Sequence, residues 1–177
     1  MKRRDLNRWF GAVAVATVLG ACFRPEAPAV ERPGPDLGEP VQFTFGTIDG
    51  GELSSDTTRG RTTALLFVTT YDLPSQAEAQ LLRDVLSTHK PLANAAIVML
   101  EAPQAAPLAR VWAESIGMKL PIAMASPSLL SGESQLGHVA GVPTLLVLDR
   151  RGRLTSRSEG SLTREEIEAC LQSADKR

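Results

Sequence analysis

The chain has 177 residues, 43% hydrophobic and 22% charged, enough for one globular domain with a core plus appendages. The formal net charge of −1 is uneven: Lys2, Arg3, Arg4 and Arg8 against Asp5 give the first 21 residues +3, leaving −4 on the rest. No basic cluster or aromatic-interleaved basic face follows the N-terminus in the sequence, so nucleic-acid binding is not an expected function.

The chain opens with MKRRDLNR, a basic stretch, and then an apolar run, Trp9 to Leu19, of 11 residues. That run is shorter than the roughly 20 residues a membrane-spanning helix needs. It ends in Gly20 and Ala21, small residues placed directly before Cys22. The segment resembles a bacterial lipoprotein signal, in which a peptidase cuts after small side chains and the cysteine becomes a lipidated N-terminus. Residues 1–21 are therefore expected to be a signal peptide and Cys22 the lipid attachment site. Without the lipid, the same segment reads as an ordinary secretory signal. Arg3-Arg4 also suggests a twin-arginine signal, although Asp5-Leu6-Asn7 follows instead of a bulky apolar pair. The expected location is the cell envelope, with the domain on the periplasmic or extracytoplasmic side; Phe23 after Cys22 favours the outer membrane. Lipidation of Cys22 would leave Cys170 as the one free thiol and no intramolecular disulfide.

Residues 22–39 read as a tether. Pro25, Pro28, Pro33 and Pro35 interrupt any apolar period, and the 17 residues after Cys22, as extended chain, reach roughly 50 Å. The domain is expected over 40–177. Alternation in Val41–Ile48, the turn Asp49-Gly50-Gly51 and a returning Glu-Leu-Ser predict a hairpin. Thr63–Thr69 and Ala95–Leu100 are continuous apolar runs of buried-strand type. Between them a helix carries Ala77, Leu81, Leu82, Val85 and Leu86; a second helix, with Leu108, Val111, Trp112 and Ile116, closes at Gly117. A short extended Leu-Pro-Ile-Ala-Met-Ala segment comes next. Val142–Asp149 is a strand, Arg150-Arg151-Gly152 a turn and Arg153–Gly160 an edge strand. Thr163 and Glu166 have capping-box spacing and open a last helix that buries Ile167, Cys170 and Leu171. Alternating strands and helices followed by a hairpin and a helix predict an α/β sandwich with a mixed sheet.

Two phrases narrow this: FTFGTIDGGELSSDTTRGRTTALLFVTTYDLPSQAE and GVPTLLVLDRRGRL. They resemble the thioredoxin-like superfamily, in particular its TlpA-like and redoxin (AhpC/TSA-type) branches, from about Pro40 to Leu171. The resemblance implies a thioredoxin-like sandwich with an N-terminal hairpin extension, a cis bond at Val142-Pro143, and an Asp149-to-Gly152 turn. It also implies a Trp-Cys-x-x-Cys motif at the start of the first long helix, where the helix end lowers the first thiol's pKa.

This chain has Tyr71-Asp72-Leu73-Pro74-Ser75 there, with Asp72 and Ser75 in the cysteine positions. Dithiol exchange at this site is chemically excluded, and so is peroxidatic chemistry, despite Thr69 three residues before Asp72. A copper site of the Sco type lacks both cysteines and has Gly141 where its histidine would stand. His89 and His138 make no recognisable metal set, so no metal and no cofactor is expected. Ser75, His138 and Asp72 form a hydrolytic trio only on paper, since no Gly-x-Ser-x-Gly elbow accompanies them.

Asp72 reads first as a helix N-cap with Pro74 just inside the helix. The functional reading joins Tyr71, Asp72, Ser75, Gln76 and Pro143 in a polar patch that receives an extended polypeptide from an envelope partner. Cys170, on the apolar stripe of the last helix, reads as a packing thiol. The expected function is thus an envelope-anchored, non-catalytic binding or assembly module. The alternative is a divergent thiol-disulfide oxidoreductase or peroxidase-like redoxin that uses Cys170 or a partner's thiol; a third is a spacer with no active surface.

Overall fold

The computed structural model describes residues 40–177; the expected signal peptide, Cys22 and the tether lie outside the described residues. The Asp49-Gly50-Gly51 turn folds the first segment back as β1 (Thr44–Gly46) and β2 (Glu52–Ser54), antiparallel, with Phe45 opposite Leu53. This strand is shorter than the expected Val41–Ile48. Beyond Gly46 the backbone leaves its partner and pairs elsewhere: Thr47 bridges Ala123, and the Ile48 N–H donates to the Ile122 carbonyl at 3.0 Å. The hairpin thereby covers an edge of the main sheet that would otherwise present unpaired backbone groups. Ser54 then caps a single turn, α1 (Ser55–Thr58), in a reciprocal box with Thr57.

The three apolar runs form the middle of the sheet. β3 (Thr63–Val68), β4 (Asn94–Met99) and β6 (Thr144–Leu148) are joined by β5 (Ile122–Met124) and β7 (Leu154–Glu159) in the order β5-β4-β3-β6-β7. β3, β4 and β5 are parallel; β6 and β7 are antiparallel to their neighbours. β3 and β6 are buried at every residue, as runs without polar alternation require.

The pleat sends alternate side chains to two cores. On one face Leu66, Val68, Ile97 and Met99 meet α2 (Leu73–Thr88), α3 (Ala106–Ser115) and α5 (Arg164–Asp175). On the other, Leu65, Phe67, Val98 and Leu146 meet Phe43 and Phe45 of the hairpin segment, and Leu129 of α4 (Pro127–Leu130). Phe45 is 1% exposed, and truncating such a side chain to alanine costs about 3–5 kcal/mol. Thr163 and Glu166 form the expected capping box on α5. Two N–H and O–H donors from Thr163 hold the Glu166 carboxyl below its usual range. Among the described residues no helix is long and apolar enough to cross a membrane.

Helix faces depart from expectation. Ala77 is exposed, and α2 turns Ser75, Glu78, Ala79, Leu82 and Val85 inward. Leu108 and Val111 of α3 are 55% and 62% exposed, whereas Ala109, Trp112 and Ala113 pack inward. Trp112 anchors this face in the core with the two alanines beside it, so the buried stripe is not the most hydrophobic one. Cys170 is half-buried at the margin of the core that holds Ile167 and Leu171.

The sheet has two ends, which the rest of the description uses. At the turn edge β3 and β4 finish, β6 begins, and α2 and α5 start. At the entry edge β3 and β4 begin, β6 gives way to β7, and α2 and α5 finish. Val41 donates its N–H to the Gly152 carbonyl here at 3.0 Å, so the described chain enters at this edge.

Candidate functional site

The turn between β3 and α2 is built by local chemistry. Asp72 is extended (φ −101, ψ 117) and caps α2: its Oδ2 accepts the Ser75 N–H at 2.7 Å, and its carbonyl accepts the Gln76 N–H at 3.2 Å. Pro74 lies in the first helical turn, where its missing N–H costs nothing. The carboxylate occupies the positive helix end, a stabilisation of about 0.5–2 kcal/mol. On either side of it, Tyr71 is 82% exposed and Leu73 78% exposed, an apolar rim on an otherwise polar turn.

Pro143 joins this turn through sheet register. Thr144, the first residue of β6, pairs with Phe67 near the end of β3, which places Pro143 beside the strand end leading into Thr69. The Val142-Pro143 bond is cis, as is Lys90-Pro91, which the sequence reading did not foresee. Pro143 is buried, and its carbonyl accepts the Gly160 N–H at 2.8 Å. Thr144 Oγ1 donates to the Gly141 carbonyl at 2.7 Å and fixes the approach to the proline. Tyr71, Asp72, Ser75, Gln76 and Pro143 thus belong to one end of the sheet.

Their exposures differ. Tyr71 is open and Asp72 and Gln76 are half-buried, but Ser75 is fully buried and does not belong to a surface patch. Its position on the inward stripe of α2 explains this. Ser75 Oγ has no hydrogen-bond partner, so the trio with His138 does not form. His138 lies instead on the loop before Pro143, where its carbonyl accepts from Arg157 at 2.5 Å.

Sequence reading missed the polar groups behind the turn. Glu78, 3% exposed, faces inward one turn beyond Ser75; one oxygen accepts the Leu162 N–H at 3.1 Å and the other has no partner. Burial raises the Glu78 pKa above the usual carboxylate value, the Leu162 N–H opposes this, and the charge of Glu166 adds to the rise. Glu101, after β4, accepts both the N–H and the hydroxyl of Thr70, at 2.8 and 2.7 Å. Its second oxygen and the buried Thr69 hydroxyl are unpartnered. The i, i+3 and i, i+4 spacing of Ser75, Glu78, Ala79 and Leu82 is the signal that would have placed Glu78 inside.

The turn edge offers a carboxylate, hydroxyls and an exposed aromatic, with no sulfur in its turn. Among the described residues no group of three His, Cys, Asp or Glu side chains is placed to hold a metal ion. A cleft of about 570 Å³ opens between Ile48, Arg110 and Met118, and another of about 460 Å³ beside Phe43 and Ser126. Neither is lined by a residue of the turn.

No family model matches the chain, and no curated protein sequence matches it. Solved structures do. A thiol:disulfide interchange protein of the thioredoxin family from Chlorobium tepidum TLS is 22% identical, with a TM-score of 0.64, covering 77% of this chain and 95% of that one. A DsbF homologue from Corynebacterium diphtheriae is 14% identical, with a TM-score of 0.66 over 84% and 99% of the two chains. The exposed lipoprotein thioredoxin Etrx1 from Streptococcus pneumoniae strain TIGR4 is 16% identical, with a TM-score of 0.61 over 74% and 98%. These neighbours are thioredoxin-like thiol:disulfide proteins, and identities this low speak to architecture alone. With its five-stranded mixed sheet, its helices and its antiparallel hairpin on the N-terminal side, the chain has the thioredoxin-like α/β fold.

Proposed function

We propose that the chain is an envelope-anchored binding or assembly module of the TlpA-like and redoxin kind, in which the dithiol has given way to a carboxylate cap. The carrying observation is the turn itself: Asp72 donates no electrons and is committed to the Ser75 N–H, while Tyr71 and Leu73 stand exposed beside it. The electrostatics that would favour a thiolate at a helix N-terminus favour this carboxylate equally. An exposed apolar rim next to Val142-Pro143 suits an extended polypeptide that pairs with backbone and seats side chains on Tyr71 and Leu73. The lipid on Cys22 and the extracytoplasmic location are part of this reading. The basic N-terminus, the apolar run and Gly20-Ala21-Cys22 support them.

The rival is redox work through Cys170. That thiol lies on α5, half-buried against the core. The test combines two measurements. Crosslinking of the intact lipoprotein in envelopes is expected to capture a protein with the wild type and to lose it with Tyr71→Ala/Leu73→Ala. Insulin reduction is expected at the uncatalysed rate for both wild type and Cys170→Ser. Turnover that disappears on Cys170→Ser would replace the binding reading with the redox one.

A further inference from the structure

We propose that the entry edge of the domain is a docking face for an anionic lipid surface. Beyond the N-terminus the sequence shows only two short basic runs, Arg59-Gly60-Arg61 and Arg150-Arg151-Gly152-Arg153, and the fold gathers them with two further segments. Arg59 and Arg61 lie on the loop from α1 to β3, Arg150 and Arg151 in the β6–β7 turn, Lys90 just after α2, and Lys176 and Arg177 after α5; all are exposed. The Gly60 N–H donates to the Arg150 carbonyl at 2.8 Å, stitching the two arginine loops together. Arg61, Pro91, Leu92, Arg150 and Asp175 line one shallow cleft of about 310 Å³.

The charge balance is lopsided. With the half-buried Arg153, this edge holds eight of the 13 Lys and Arg in residues 40–177, but only three of the 15 Asp and Glu. Two of those three face inward: Asp149 is 1% exposed, and the Asp175 side chain is 11% exposed, receiving Thr62 and His89. Asp56, the third, lies 3.8 Å from Arg59. The rest of the domain carries five cations and twelve acids.

Lys90 and Lys176 have a local reason to be here, since they follow the negative ends of α2 and α5. Arg61, Arg150 and Arg151 stand on turns and have none. Guanidinium groups on adjoining turns match phosphate oxygens by paired hydrogen bonds and keep their charge at any physiological pH.

The direction of the chain selects the partner. Pro40, the first described residue, sits against Gly152, so a tether from Cys22 meets the domain at its cationic edge. This step rests on the reading of Cys22 as the anchor. Segment 23–39 carries two more acidic than basic residues, so the attraction resides in the domain. Basic groups held near a bilayer respond to its negative surface potential within about one Debye length, roughly 8–10 Å. Leu92, 58% exposed on the same rim, adds an apolar contact at headgroup depth.

The test uses full-chain protein extracted from membranes and reconstituted in vesicles of phosphatidylcholine, alone or mixed with phosphatidylglycerol. A donor dye on Leu92→Cys in a Cys170→Ser background reports energy transfer to headgroup acceptors; Leu73→Cys reports from the opposite edge. Transfer from position 92 is expected to rise several-fold with phosphatidylglycerol, and from position 73 to stay low. Arg61→Glu/Arg150→Glu is expected to abolish the rise, as is about 0.5 M salt on the unreversed protein, where the Debye length shrinks to a few ångströms. Equal transfer in both vesicle types, or a rise that survives salt, would overturn the proposal. So would tighter binding of a duplex oligonucleotide than of anionic vesicles, which would assign the face to nucleic acid. If the anchor reading alone fails, the protein does not float with neutral vesicles yet is still recruited, salt-sensitively, by anionic ones.

Discussion

The two ends of the sheet treat their buried polar groups differently. At the entry edge the carboxylates are matched, although the Ser156 hydroxyl on β7 close by has no partner. Asp149 accepts the N–H groups of Arg151 and Arg153 at 2.8 and 2.9 Å and Arg153 Nε at 3.2 Å, while Asp175 takes the Thr62 hydroxyl at 2.6 Å and His89 Nε2 at 2.9 Å. At the turn edge Thr69 Oγ1, Ser75 Oγ, one oxygen of Glu78 and one of Glu101 have no partner. A buried, unmatched polar atom costs about 1–3 kcal/mol, so chains retain them where something besides stability is served. One edge is built as a clasp; the other leaves hydroxyl and carboxylate oxygens without a protein partner.

The largest effect that would sharpen this contrast lies in the clasp. Asp149→Ala strands three buried or half-buried donors at once and is expected to lower stability by about 3 kcal/mol, read as a shift of the urea midpoint. Asp72→Ala, a carboxylate removal at the other edge, is expected to cost only about 1 kcal/mol by the same assay, and Asp72→Ser close to nothing, because serine caps as well. Equal losses at Asp149 and Asp72 would break the comparison.

The smallest effect is a dependence on pH. The folded-state pKa of Glu78 lies above its unfolded value, so its contribution is fully present below about 4.5 and is lost as pH rises through the folded value. Glu78→Gln removes that loss. Its melting temperature is expected to exceed that of the wild type at neutral pH, with the difference closing in acid. A difference that grows in acid would mean that the Glu78 carboxylate is matched after all.

Much of the architecture was legible because it depends on residues close together in sequence. Uninterrupted apolar runs gave β3, β4 and β6, the Asp-Gly-Gly turn gave the hairpin, and Thr163 with Glu166 gave the start of α5. Asp72 as a cap was readable for the same reason. Inward faces of helices were harder, since Ala109 and Ala113 are buried while the more apolar Leu108 and Val111 stay exposed, which no periodicity reveals. Glu78 escaped notice because a charged residue counts as outward until its neighbours are known. His89, considered from sequence only as a metal ligand, is the α2 C-cap and reaches Asp175, 86 positions away. The arginine cluster was invisible for a related cause: its members come from positions 59 to 177 and meet only when the strands are aligned.

The opposed ends also give the domain an electrical axis that runs along its strands. Asp72, Glu101, Glu159, Glu165 and Glu166 gather at one end against Arg157 and Arg164, and the arginine loops stand at the other. A rigid sheet cannot bring such poles together, so the moment survives any motion of the loops. If the turn edge binds a polypeptide as proposed, its acidic surroundings favour basic side chains over acidic ones beside Tyr71.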